Sequence, residues 1–371
     1  MITAHPDPDP DPIPYPMREL VCQDDPATLL YSSGTTGTSK GVGSTIIYGL
    51  AAFTTGLLGR DPPLSLDKCR GSQDPKREHE CGRPLGLQFN ERTGELYVAD
   101  AYLGLRVVVD PDGEGKDKSN ATRPIATQAQ GLPFRFTNSL DIDQDSGDFK
   151  RKEKGIATEG HTTKSKYGRE FMSAVISRDK TGRLMKYDPK KKEEIQVLAD
   201  SLSFPNGLAL SKNGSFLLIA ETTTCRILRY WLRKPHAATP TLEVVAQLPG
   251  FPDNIKRIPQ EEGGGGGGGF WLALHSKRGR LLRWALSLPW LREVLLRVPF
   301  NLQKATVLLS KLSPQVQVIA LRVSEEGEIV GALQYQGRNL RFVSEVKESD
   351  GKLWIGSVVM PFLGVHSLRG T

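Results

Sequence analysis

Three short stretches place oxygen-bearing side chains immediately before a run of alternating, strand-forming residues. FTN-SLDID offers Asn138, FPN-GLALS offers Asn206, and FPDN-IKR offers Asp253 and Asn254. Amide and carboxylate oxygens drawn from separate segments are hard ligands, and with one or two carboxylates they suit Ca2+ rather than zinc. The same residue types also cap turns through side-chain hydrogen bonds to nearby backbone, so both readings follow from the residues alone. A different chemistry is written near the start, in the loop of Ser33, Gly34, Thr35, Thr36 and Gly37 followed by Lys40. Small residues let backbone N–H groups approach a phosphate, hydroxyls donate to it, and a lysine supplies charge. Cys69 and Cys81 lie twelve apart in a polar stretch. They suit one disulfide in an oxidising compartment, or two unpaired thiols. No CxxC spacing suggests zinc. Asn120-Ala-Thr and Asn213-Gly-Ser are N-glycosylation acceptors, used only if the chain enters the secretory path.

The elements that must position these residues are strands. From residue 82 onward, short alternating runs such as GELYVAD, SFLLIAE, EVVAQL, GFWLAL and KLWIGSV are separated by Gly, Asp and Asn turns. That is the pattern of an all-β sandwich, barrel or propeller. A repeat narrows the choice. Residues 86–108 and 207–231 share one plan: an alternating strand, a polar Gly turn, a second strand ending in Ala-Asp or Ala-Glu, and a third strand. Residues 139–149 and 344–368 are partial copies. Multi-strand units recurring every 40–60 residues or so read as propeller blades, which bury their faces only against neighbours. Asn138, Asn206 and Asp253 then stand where innermost strands begin and converge on the axis. One stretch, 280–312, is helical in pattern and broken near Pro289 and Pro299. Its Leu/Trp face either caps the propeller or lies on an anionic membrane surface.

Composition sets outer bounds. The chain has 371 residues, 38% hydrophobic and 25% charged, enough for a sizeable core and too varied for collagen, coiled coil or a disulfide mini-protein. Between Lys277 and Lys311 stand eight basic residues and one acid, Glu293, so that stretch carries the whole net charge of +7. No spread basic face with stacking aromatics accompanies it, which argues against nucleic acid. A monomer acting on a small molecule is expected. The opening MITAHPDPDPDPIPYP has neither the basic n-region nor the apolar h-region of a secretory leader, and none is expected. Val42–Gly59 is an uncharged run at the short limit for a membrane span.

Two resemblances attach to these strings. Residues 24–42, DDPATLLYSSGTTGTSKGV, resemble the phosphate-binding motif of 4-coumarate–CoA ligases and other acyl-CoA synthetases. Nothing else of that several-hundred-residue enzyme follows, so this is expected to be an inert fusion remnant in a chimeric chain. Residues 69–368 resemble the plant strictosidine synthase-like proteins, related to the adipocyte plasma membrane-associated protein and more distantly to paraoxonases. EHECGRPLGLQFN, GELYVADAYLGL, GLPFRFTNSLDIDQ, FPNGLALS, LPGFPDNIKR and DGKLWIGSVVMPFLGV carry the likeness, in order. The resemblance implies a six-bladed β-propeller with its site at the mouth of the central channel. It also implies a Ca2+ ion at the Asn138, Asn206, Asp253 and Asn254 positions, and a place in the vacuole, endoplasmic reticulum or other endomembrane. Two departures stand out. The position of the family's acid/base glutamate in the last blade is Ser344, with Glu345 expected on the opposite strand face. The first blade and a second-blade strand, after residues 146–149, are expected to be missing.

The resulting layout is a disordered tail over 1–16, a ligase-like fragment over 17–60 and a linker over 61–81. An incomplete propeller with one helical insertion near 280–312 follows over 82–371. The expected function is hydrolysis of an ester or lactone rather than strictosidine formation, because Ser344 cannot shuttle protons as the family's carboxylate does. The alternatives are a non-catalytic, membrane-associated binding propeller and, remotely, an adenylating ligase fragment.

Overall fold

The computed structural model describes residues 19–22, 78–108, 122–144, 155–159, 171–188, 195–233, 242–259, 268–279, 284, 286–297, 317–337, 340–349, 351–357 and 362–368. A short helix, α1 (Glu78–Cys81), leads into five four-stranded antiparallel sheets. Blade one is β2 (Pro84–Phe89), β3 (Leu96–Asp100), β4 (Gly104–Val108) and β5 (Thr122–Ala126). A small hairpin, β6 (Gln128–Ala129) and β7 (Leu132–Pro133), links it to the next. Blade two is β8 (Thr137–Ile142), β9 (Gly155–Glu159), β10 (Gly182–Tyr187) and β11 (Gln196–Leu202), with helix α2 (Phe171–Ser177) between β9 and β10. Blade three is β12 (Pro205–Leu210), β13 (Phe216–Glu221), β14 (Arg226–Trp231) and β15 (Leu242–Gln247). Blade four is β16 (Gly250–Arg257), β17 (Phe270–Lys277), β18 (Gln317–Val323) and β19 (Ile329–Tyr335), interrupted before β18 by helix α3 (Pro289–Arg297). Blade five runs β20 (Val343–Ser349), β21 (Lys352–Ser357) and β22 (Phe362–Ser367), and its fourth strand is β1 (Glu19–Cys22).

The innermost strands pack side by side in the order β2, β8, β12, β16, β20. Between the blades lie four apolar layers. Ala99 and Leu105 meet Leu140, Ile142 and Ala157 between blades one and two. Leu184 and Leu202 meet Leu208, Leu217 and Ile219 between two and three. Leu218 and Ile227 meet Ile255, Phe270 and Leu272 between three and four. Trp271, Ile319 and Ala320 meet Val343, Val346 and Leu353 between four and five. This is an all-β propeller. Strand alternation sends one side chain to each neighbouring blade in turn, which is why the strands read as nearly continuous apolar runs.

The count differs from the six blades expected. Five are described, and the close packing of neighbouring inner strands is not repeated between β20 and β2 among the described residues. Leu87, Leu96, Val98 and Val108, on blade one's remaining face, form a cluster with no described partner blade. The chain ahead of residue 82 carries no blade repeat. Of its described residues, 78–81 form α1 and 19–22 serve as the outer strand of blade five, with Glu19 opposite Val365 and Cys22 opposite Phe362.

A second correction concerns blade two, whose second strand was expected to be missing. Gly155–Glu159 supplies it, in register with both β8 and β10. Ala157 joins the layer between blades one and two, and Thr158 is buried, so a five-residue strand survives inside a strongly basic stretch. Of the helical insertion, the described helix α3 covers Pro289–Arg297. Helix α3 begins at Pro289, whose missing N–H costs nothing at a first helical position. Residues 24–42 with Ser33, Gly34, Thr35, Thr36, Gly37 and Lys40, the run 42–59, Cys69 and Asn120 lie outside the described residues.

Candidate axial site

Every innermost strand loses its regular register at the same place. The break falls between Pro84 and Gly86 in β2, Thr137 and Ser139 in β8, and Pro205 and Leu208 in β12. In β16 it spans Phe251 to Ile255, and in β20 it lies between Val343 and Glu345. A bulge bends a strand and re-aims the side chains at it. The residues so re-aimed include Asn138, Asn206, Asp253 with Asn254, and Ser344. Ser344 thus lies at the register break of the fifth inner strand, as Asn138, Asn206 and Asp253 lie at theirs.

Close approach of the strands brings three of these together. A Cβ on Gly207 would stand 2.5 Å from the Asp253 carbonyl oxygen and 2.6 Å from Asn254 Cα, so only glycine lets β12 lie this near β16. Gly86 likewise lies against the Asn138 carbonyl, where a Cβ would be 2.7 Å away. Asn138 Nδ2 donates to Asn206 Oδ1 at 2.9 Å, both side chains being buried, and Asn206 in turn hydrogen-bonds Asp253. Behind this chain, Thr158 Oγ1 donates to the Asn206 carbonyl at 2.8 Å and Thr222 Oγ1 to the Pro252 carbonyl at 2.8 Å. Burial pushes the Asp253 carboxyl up to about 7; the Asn206 bond opposes the rise and the nearby Glu345 charge adds to it. Asn254 sits beside Asp253, half-buried.

Glu345 was assigned to the far face of its strand, and its partners show otherwise. Its Oε1 lies 4.0 Å from Lys256 Nζ, its charge is felt at Asp253, and it adjoins Lys347. Strict alternation fails at the bulge between Val343 and Glu345, and the Glu345 carboxylate lies toward Lys256 of blade four. Only the β21 partners of β20, with Val343 opposite Ser357 and Glu345 opposite Gly356, could have revealed it. Further along, burial raises Asp141, which accepts from Leu210 N–H at 2.8 Å, while burial lowers Lys347. His275 lies two residues before the end of β17 with its ring 4.9 Å from that of Phe342, and burial pushes its pKa down to about 4, leaving a neutral imidazole.

Among the described residues no three His, Cys, Asp or Glu side chains gather as a metal cluster. The oxygen set of Asn138, Asn206, Asp253 and Asn254 comes from three successive blades, three members are linked by hydrogen bonds, and the charge of Glu345 is felt at its carboxylate. That donor chemistry fits a hard divalent cation, which would neutralise the Asp253 carboxylate. Asn213 lies apart, exposed in the β12–β13 turn, its Oδ1 accepting from Ser215 N–H at 3.0 Å.

A polar oxygen site at the bulged inner strands of a propeller defines a class of protein, and the comparisons supply the family. A strictosidine synthase family model matches residues 152–235. Protein STRICTOSIDINE SYNTHASE-LIKE 10 of Arabidopsis thaliana is 45% identical over 302 residues, covering 81% of this chain and 74% of that protein. Protein STRICTOSIDINE SYNTHASE-LIKE 2 of the same plant is 38% identical over 308 residues, covering 81% and 75%. The chain belongs to the strictosidine synthase-like family. Among solved structures, a gluconolactonase from Xanthomonas campestris aligns with a TM-score of 0.47 at 14% identity, covering 77% of this chain and 72% of that one.

Proposed function

We propose that this propeller is a hydrolase of a small ester or lactone, working at the axial site with a bound Ca2+. The observation that supports it is the hydrogen-bonded Asn138–Asn206–Asp253 chain, whose buried carboxyl feels the charge of Glu345. Asn138, Asn206, Asp253 and Asn254 would hold the cation. When bound it would polarise a substrate carbonyl. Glu345, 4.0 Å from Lys256, would take a proton from attacking water, and Ser344 offers a hydroxyl beside it without a base of its own. The test is turnover of a chromogenic aryl ester and an aliphatic lactone by purified protein, with Ca2+ and with chelator. Glu345→Gln should cut turnover by roughly 10²–10⁴ while leaving Ca2+-induced stabilisation intact. Asp253→Ala should remove both, the stabilisation being ~2.7 kcal/mol at a hundredfold excess of ion over Kd. A chain that binds Ca2+ yet turns over nothing would instead be a binding propeller. A melting temperature indifferent to Ca2+ and chelator would remove the metal.

A further inference from the structure

Among its described residues, the insertion in blade four meets the propeller along one side. Leu286, 3% exposed, is buried in the core cluster of blades three and four, Leu295 packs against that cluster, and α3 rests on α2. The other side turns outward: Trp284 is 60% exposed, Trp290 63%, Val294 49% and Leu296 37%. Two indoles so exposed, within seven residues, are costly on a surface that meets only water. Positive charge predominates in the same stretch of sequence, with Glu293 its one acid. Arg297 is exposed and paired only loosely with Glu293 at 3.4 Å, Lys277 is exposed, and the stretch 277–311 carries the chain's entire positive excess. Aromatic side chains with an apolar body and an N–H favour the headgroup layer, and basic residues beside them favour anionic lipid. Among the described residues no helix is long and apolar enough to cross a membrane, so this contact would be made by a helix lying on the surface.

We propose that segment 284–297 is an interfacial anchor, inserting Trp284 and Trp290 into the headgroup layer of a bilayer rich in anionic phospholipid. It is independent of what the axial site does. The test is co-flotation of the whole chain with vesicles of phosphatidylcholine alone and of phosphatidylcholine with 30% phosphatidylserine, at about 0.1 M and 0.5 M salt. Binding is expected to the anionic vesicles and to weaken at high salt. Trp284→Ser with Trp290→Ser should lower it at least roughly ten-fold without moving the melting temperature, since both side chains are exposed. Arg292→Gln with Arg297→Gln should reduce the salt dependence. The idea is overturned if the wild-type chain ignores anionic vesicles, or if the folded double-tryptophan variant binds them undiminished. It is equally overturned if the patch proves to join two copies of the chain, seen as a dimer that the double-tryptophan variant loses while vesicle binding stays absent.

Discussion

Carboxylates end the second strand of two blades, and each ties down the connection that follows. Asp100 Oδ1 accepts from the N–H groups of Tyr102 and Leu103, both at 2.8 Å. Glu221 accepts from Ser203 N–H at 2.7 Å and from Thr224 and Arg226. The Ala-Asp and Ala-Glu endings of the repeat were legible as strand ends, and the bonds explain why an acid stands there. Asp100 bears a cost, because its Oδ2 is buried without a partner and burial pushes the carboxyl from 3.8 up to about 6. The folded state therefore prefers the protonated form. The stability this contributes is fully present below pH 3.8 and is lost as pH rises through about 6, a change of about 3 kcal/mol for a shift of that size. Asp100→Asn cannot titrate. Thermal melts of both proteins at intervals from pH 4 to 7.5 should show wild type losing ground to the variant as pH rises, then a plateau. A constant difference across that range would show that Asp100 does not carry the shift. Glu345 teaches the opposite lesson about legibility. Asn138, Asn206 and Asp253 could be found from their place before recurring strands, whereas Glu345 could not, because its orientation depends on a bulge that alternation does not foresee.

Among elements, the inner strands do most to set the site, and glycine sets their spacing. Gly207 has no left-handed backbone to explain it; what requires it is the Asp253–Ile255 backbone, where any Cβ would fall 2.5–2.6 Å from three atoms. Backbone cannot swing aside as the tip of a side chain can. Gly207→Ala should thus force β12 from β16, costing about 1–3 kcal/mol as overpacking does, and should part Asn206 from Asp253. The expected result is a lower melting temperature together with a smaller Ca2+-induced shift. Gly94→Ala is a useful contrast: it has open space around its would-be Cβ and a φ of +73°, so it should cost backbone strain and leave the ion response alone. If Gly207→Ala kept the full ion response, the β12–β16 approach would not be what positions the site. The repeat made β12 legible, since FPNGLALS has a counterpart in RPLGLQFN. Strand β9 was not, because its five residues stand in a run of lysines and arginines whose charge hides the buried Ala157 and Thr158.

At the scale of the whole molecule, the sequence pattern showed that blades exist and roughly where, but not how the ring is assembled. Blade five is built from both ends of the chain, with β1 lying antiparallel to β22 over four residue pairs. No periodicity marks residues 19–22, which sit between a Pro/Asp tail and a ligase-like string, so their role could be seen only in three dimensions. Pairing of this kind ties the two chain ends into one blade, and losing it would free the outer N–H and C=O groups of β22 as an unpaired edge. Strands β20 and β21 would keep their packing on blade four through Val343, Val346, Leu353 and Ile355, so the fold should persist in weakened form. Deleting residues 1–23 is therefore expected to lower the melting temperature by at least roughly 3 °C, a loss of about 1 kcal/mol in a domain of this size. Hydrogen exchange should locate the effect: amides of β22 should lose protection, while those of β12 and β13, on the far side of the ring, should not. An undiminished melting temperature with β22 still protected would mean that 19–22 does not hold the last blade, and that its outer edge is covered in some other way.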